Sequence, residues 1–177
     1  MDNNTSHPKG LYLALISVHG LIRAHNMELG RDPDTGGQTL YVVELARALG
    51  EREDVALVEL FTQRIEDPAV SADYARPVET LSDHARIVRI DLGLDRYTRK
   101  EELWDNLDIF ADNMLAHFQQ KELRPDAIHA HYADAGYVGA RVASLLGLPL
   151  IFTGHSLGRV KRRRLLASGA KPGEIEK

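Results

Sequence analysis

No cysteine occurs among the 177 residues of this chain. That excludes disulfide staples, a thiolate nucleophile and every thiolate-ligated metal site. No apolar run approaches the ~18 residues that a membrane-spanning helix needs. Residues 1–10 are polar and the only early apolar run is 11–18, so no signal peptide is expected. The expected location is the cytoplasm. Positive charge is in the minority, with 22 Lys and Arg against 26 Asp and Glu and a net charge of −4. This balance argues against a general nucleic-acid binder but not against the binding of one anionic metabolite. Repeats and low-complexity segments are also lacking. The remaining composition, 44% hydrophobic and 27% charged, is that of an ordinary soluble globular domain. A chain of this length buries roughly 70% of its unfolded surface and needs no staples.

Short apolar runs alternate with longer periodic segments. Residues 11–18 form a continuous apolar run of strand length, as in a strand buried on both faces of a parallel sheet. A polar, glycine-bearing loop follows over 19–37. The spacing predicts a helix over 38–49, with Tyr41, Leu45, Ala48 and Leu49 on one face and Gly50 as its stop. Strands are expected at 55–62 and 85–90, with loop over 66–82. A long helix is expected over 101–121, with Leu103, Leu107, Phe110, Met114 and Phe118 at helical spacing. A strand at 127–130, a helix at 136–146 closed by Gly147, a strand at 148–153 and helical character over 157–166 complete the pattern. Such alternation predicts an α/β fold, a parallel sheet with helices on both faces. In these sheets ligands bind beyond the carboxyl ends of the strands.

That rule sorts the polar residues. After the first strand come His19, Arg23, His25 and Asn26, then Asp34-Thr35-Gly36-Gly37-Gln38. Glycines opening a helix let a ligand approach the backbone, and the free N–H groups attract anions. The string is neither a dinucleotide fingerprint nor a Walker loop, and a plain turn is the alternative reading. Arg96, Arg99 and Lys100 follow the third strand, where a solvated basic turn is the simpler account. His129 and His131 share a face of the next strand and lie beside Tyr132 and Asp134, but no third ligand stands at metal-site spacing, so no metal is expected. After the last strand comes Gly154-His155-Ser156-Leu157-Gly158, formally a G-x-S-x-G string. A serine-hydrolase triad needs a later His, and none follows His155. The basic run 161–164 reads as a solvated helix face, a nucleic-acid patch or part of an anion site.

Three segments together resemble the N-terminal half of sucrose-phosphate synthases, retaining glycosyltransferases of the two-domain GT-B type. They are residues 19–49, residues 97–104 (Tyr-Thr-Arg-Lys-Glu-Glu-Leu-Trp), and residues 125–136 running on to 152–159. The likeness spans about residues 11–167. It implies a Rossmann-like sheet in a single, incomplete N-terminal acceptor-binding domain over 1–177, with the C-terminal nucleotide-sugar-binding domain absent. It also implies roles. Gly36 and Gly37 face the donor diphosphate. Gln38, Lys100, Tyr132, Ser156 and Lys161 bind the acceptor, with Lys100 and Lys161 on its phosphate. His155 is the catalytic histidine that contacts the transferred glucose. The implied reaction moves glucose from UDP-glucose or ADP-glucose to fructose 6-phosphate, giving sucrose 6-phosphate, with no cofactor and no metal.

Sucrose synthase shares the Asp-Thr-Gly-Gly-Gln loop but takes free fructose. Its histidine sits in an Ala-His-Ala-Leu-Glu-Lys string, unlike Gly154-His155-Ser156-Leu157-Gly158-Arg159-Val160-Lys161 here. Val160 stands where sucrose-phosphate synthases more often carry a polar residue. At ~100–200 residues per domain, the chain has room for one wall of a two-domain cleft. Alone it is expected to be inactive or nearly so, either as a fragment or truncation of a longer enzyme or as a split gene product whose partner is a separately encoded C-terminal half, with neither nucleic acid nor membrane among its partners. A reading of another class is a stand-alone sugar-phosphate binding module, which binds fructose 6-phosphate without a nucleotide.

Overall fold

The computed structural model describes residues 10–156 together with 163, 166, 167 and 169. Six strands form one sheet: β1 (Leu11–Ile16), β2 (Val55–Gln63), β3 (Val78–Ser82), β4 (Ala85–Ile90), β5 (Ala127–His131) and β6 (Leu150–Thr153). Three α-helices, α1 (Gly37–Gly50), α2 (Leu107–Gln120) and α3 (Ala133–Leu146), connect them. The strand order is β3-β4-β2-β1-β5-β6, with every pair parallel except β3 against β4. The chain winds outward from β1 through β2 to β4, then crosses back to β5 on the other side of β1. The order therefore reverses between β1 and β5, where open α/β sheets bind ligands.

Strand periodicity sends alternate residues to two cores. Tyr12, Ala14 and Ile16 of β1 face the core shared with α2 and α3, while Leu13 and Leu15 face the core under α1. β4 divides in the same way, with Ala85 and Ile87 toward α1 and Val88 and Ile90 toward α2. These are helices on both faces of a mostly parallel sheet. No described helix is long and apolar enough to cross a membrane.

Four expectations need correction. The stretch 66–82 is not all loop. It holds a 3-10 turn at Ala72–Ala75 and the antiparallel edge strand β3. An edge strand covered on one side carries little apolar signal, and Val78 is half exposed. The fully buried face of α1 is Thr39, Val42, Val43 and Ala46, with Leu45 and Leu49 packed half-buried against the same core, whereas Tyr41 and Ala48 are exposed. Tyr41 is exposed and lies against the His131 and His155 rings instead. Gly50 is the last residue of α1 rather than its stop. A Cβ there would lie 2.9 Å from Ala85 Cβ and 2.9 Å from Ser82 Oγ, so the close approach of the β3–β4 hairpin excludes a side chain. The helix expected over 101–121 opens as 3-10 turns at Lys100–Glu102 and Trp104–Asn106, because Lys100 is tied to Asp34 in a distant loop.

The other boundaries agree within a few residues, the usual spread at element ends, and all five apolar residues expected on the second helix face are buried. Gly147 closes α3 at φ +63°, a left-handed cap as expected. The helical expectation over 157–166 lies, apart from Arg163 and Leu166, outside the described residues.

Candidate functional site

The loop between β1 and α1 leaves the sheet at its carboxyl edge and folds back on itself. Gly20 makes this possible, with φ +92° and no room for a Cβ, which would meet the Asp34 carbonyl oxygen at 2.6 Å and Thr39 Cγ2 at 2.7 Å. The turn brings Asp34 beneath the start of α1. Asp34 Oδ2 accepts the Lys100 backbone N–H at 2.9 Å, and Oδ1 pairs with the Lys100 ammonium. Burial works against the charged carboxylate, but the hydrogen bonds and charge of Lys100 outweigh it and hold Asp34 below its ordinary range. The same pair raises Lys100 above its own, against the opposing effect of burial.

Gly36 is the N-cap of α1 and Gly37 its first residue. Among the described residues no side chain caps this helix, and its first turn holds no acidic residue. The positive end of the helix dipole and its first amides are therefore presented outward. A Cβ on either glycine would meet nothing within 4 Å among the described residues. Those residues leave the space above them open for a ligand. Gln38 Nε2 donates to Ser17 Oγ at 3.3 Å, which orients its amide along the same rim.

The opposite rim comes from β5 and β6. Tyr132 caps α3 at φ 79°, a rare conformation for a tyrosine, and its ring meets the edge of His19 at 4.9 Å. Strain of this kind is retained where surrounding structure over-determines it, commonly at ligand sites. His155 also has positive φ, at 53°. Its Nε2 lies 3.0 Å from His131 Nδ1, and its ring is 5.2 Å from that of Tyr41. Burial, then the nearby His19, lowers the His155 pKa. Burial, then His129 and His155, lowers His131 to about 3. His129 Nε2 is engaged by Thr153 Oγ1 at 2.8 Å. Among the described residues no group of three or more His, Asp or Glu is placed to hold a metal ion.

These elements enclose a pocket of about 350 Å³ at the carboxyl edge. Seven residues singled out from the sequence line it together: Gly36, Gly37, Gln38, Lys100, Tyr132, His155 and Ser156. Lys161 lies outside the described residues. His19, Pro33 and Asp34 line the pocket as well. Of these, His19 and Asp34 both stand in the polar segment that follows the first strand, but the pairing of Asp34 with Lys100, 66 residues away, carries no sequence signal.

The pocket combines backbone donors, a cation and imidazoles on one wall, an arrangement suited to a polar, anionic ligand. Residues 36–173 match the glycosyl transferase 4-like domain family. Sucrose-phosphate synthase of Spinacia oleracea is 44% identical, covering 96% of this chain and 19% of its own length. Sucrose-phosphate synthase 1 of Arabidopsis thaliana is 46% identical with the same coverages. The chain thus spans under a fifth of the length of these relatives. The solved structure of a sucrose-phosphate synthase from Thermosynechococcus elongatus superposes with a TM-score of 0.69 at 29% identity, over 86% of this chain and 35% of that one. The mostly parallel sheet described above is accordingly that of a GT-B glycosyltransferase, and the chain belongs to the glycosyl transferase 4-like domain family.

Proposed function

We propose that this chain forms the acceptor-side wall of a sucrose-phosphate-synthase-type glucosyltransferase. The reaction moves glucose from UDP-glucose or ADP-glucose to fructose 6-phosphate, giving sucrose 6-phosphate. The observation that carries the reading is the uncapped start of α1, with open space over Gly36 and Gly37 and the Lys100 ammonium across the same pocket. Two anionic groups, a donor diphosphate and an acceptor phosphate, suit these two positive features.

In the transfer, the bond from the anomeric carbon to the diphosphate oxygen breaks. A bond to the acceptor hydroxyl oxygen forms, and the hydroxyl proton leaves with the diphosphate. Negative charge grows on the departing oxygen while the sugar becomes oxocarbenium-like. Fixed amide dipoles at Gly36 and Gly37 stabilise that charge without reorganising. Lys100, Gln38, Tyr132 and Ser156, with Lys161, hold fructose 6-phosphate so that its hydroxyl meets the anomeric carbon. His155 contacts the transferred glucose as a neutral hydrogen-bonding group, consistent with its lowered pKa. A second domain, in the same polypeptide or separately encoded, holds the nucleotide. No cofactor takes part.

The test is an amide NMR titration of this chain with fructose 6-phosphate and with fructose as control. Shifts near Gly36, Lys100 and His155 with the phosphorylated sugar alone are the expected result. Equal shifts with fructose point instead to a free-fructose acceptor. No shifts with either sugar overturn acceptor binding by this wall.

A further inference from the structure

One buried pair in the pocket wall has no part in the transfer as described. His19 follows β1, and Asp134 lies in the first turn of α3, 115 residues further along the chain. His19 Nδ1 is 2.7 Å from Asp134 Oδ2, with the two side chains 5% and 1% exposed. The other carboxylate oxygen, Oδ1, accepts the Ala135 N–H at 2.6 Å. Asp134 is therefore anchored at a helix N-terminus, where negative charge is favoured. An ionised carboxylate only accepts, so the shared proton sits on Nδ1. The imidazole has one polar atom left, Nε2, which has no hydrogen-bond partner among the described residues, and His19 lines the pocket. The Tyr132 ring packs edge-on against it, and the tight turn at Gly20 fixes the backbone beside it.

We propose that Asp134 holds His19 in the Nδ1–H form so that Nε2 binds a hydroxyl of the acceptor sugar. His19 is then a ligand-contacting residue and Asp134 a positioning residue. The chemistry of the pocket calls for such a group. Of its other polar features the α1 amides and the Lys100 ammonium can only donate, and the Asp34 carboxylate is taken up by Lys100. A sugar phosphate brings hydroxyl donors as well as an anion. In the Nδ1–H tautomer the Nε2 lone pair is a rigid acceptor for one of them, held in place before the ligand arrives. This inference rests on the acceptor-sugar reading above.

The test is a two-bond nitrogen–proton NMR experiment on the imidazoles of the intact chain at mildly alkaline pH, repeated with fructose 6-phosphate. The expected spectrum shows His19 with its proton on Nδ1, and a shift of its Nε2 resonance on adding the sugar phosphate. A His19 proton on Nε2 overturns the proposal without any variant being made. Shifts at Gly36 and Lys100 with an unmoved His19 Nε2 overturn the contact alone. No shift at any pocket residue overturns the acceptor reading and the contact with it. Two substitutions add a second readout. His19→Gln sets an amide near the Nε2 position, whereas His19→Asn stops at the Nδ1 position. His19→Asn is expected to raise the Kd for fructose 6-phosphate roughly 10-fold, the size of one hydrogen bond. His19→Gln is expected to stay closer to the unsubstituted chain. Equal losses in the two variants overturn the contact.

Discussion

His131 sits among two further imidazoles and a phenol ring, fully buried at the carboxyl end of β5. In the fold its pKa is about 3, against 6.5 for an ordinary histidine, first because of burial and then because of His129 and His155. Between those values the unfolded chain binds more protons than the folded one. The stability this confers is complete above 6.5 and is lost as pH falls toward 3. His129 and His155 are shifted in the same direction. The melting temperature is therefore expected to drop on acidification from about pH 7 to about pH 4. His131→Asn, which does not titrate there, is expected to show a shallower drop, and melting curves across that range decide it. At this scale much of the pocket was legible. Gly36, Gly37, Gln38, Lys100, Tyr132, His155 and Ser156 all lie in segments that follow strands, where polar residues have no packing reason to gather. The pairings Asp34–Lys100 and His19–Asp134 were not legible, because their partners are 66 and 115 residues apart.

Elements were read by their periodicity, and their errors have physical causes. β3 was missed because its pairing with β4 comes from cross-strand register and not from an apolar pattern of its own. On α1 the periodicity places Leu45 and Leu49 correctly against the core but overweights the bulk of Tyr41, while the smaller Thr39, Val42, Val43 and Ala46 fit closest against the sheet. The end of α1 gives the sharpest test of this packing. Gly50→Ala places a methyl group 2.9 Å from Ala85 Cβ and from Ser82 Oγ. Overpacking of this kind typically costs ~1–3 kcal/mol. Gly147→Ala meets no atom of the described residues within 4 Å but must adopt φ +63°, at a cost of ~1 kcal/mol. Denaturant unfolding of the two variants is expected to show lower midpoints for both. An unchanged midpoint for Gly50→Ala would mean that the β3–β4 hairpin is free to move away from α1.

Across the whole molecule, one charged group joins four elements. Glu59 of β2 is fully buried and accepts from Tyr12 Oη of β1, from Arg86 of β4 at 2.8 and 2.5 Å, and meets His117 Nε2 of α2 at 3.0 and 3.2 Å. Burial opposes its ionisation, but His117, Tyr12 and Arg86 together lower its pKa. Burial and then Glu59 push the Tyr12 phenol well above its ordinary range, so it remains a donor. Glu59→Ala leaves these partners without an acceptor in a buried place and is expected to cost ~3–5 kcal/mol, measured by calorimetry. Glu59→Gln, which keeps an acceptor oxygen but loses the charge, is expected to cost less. The alternation of apolar runs and helical periods by itself determined an α/β sheet with helices on both faces, because local period and burial are properties of neighbouring residues. The motif strings around Gly36, Lys100, Tyr132 and His155 likewise placed polar residues at the carboxyl edge of the sheet, and only their resemblance to sucrose-phosphate synthases implied a sugar-phosphate acceptor. Only the tertiary structure decided the antiparallel edge at β3, the buried Glu59 cluster and the His19–Asp134 pair. Each depends on which distant segments become neighbours, and that is set by the order of strands in the sheet rather than by any short stretch of sequence.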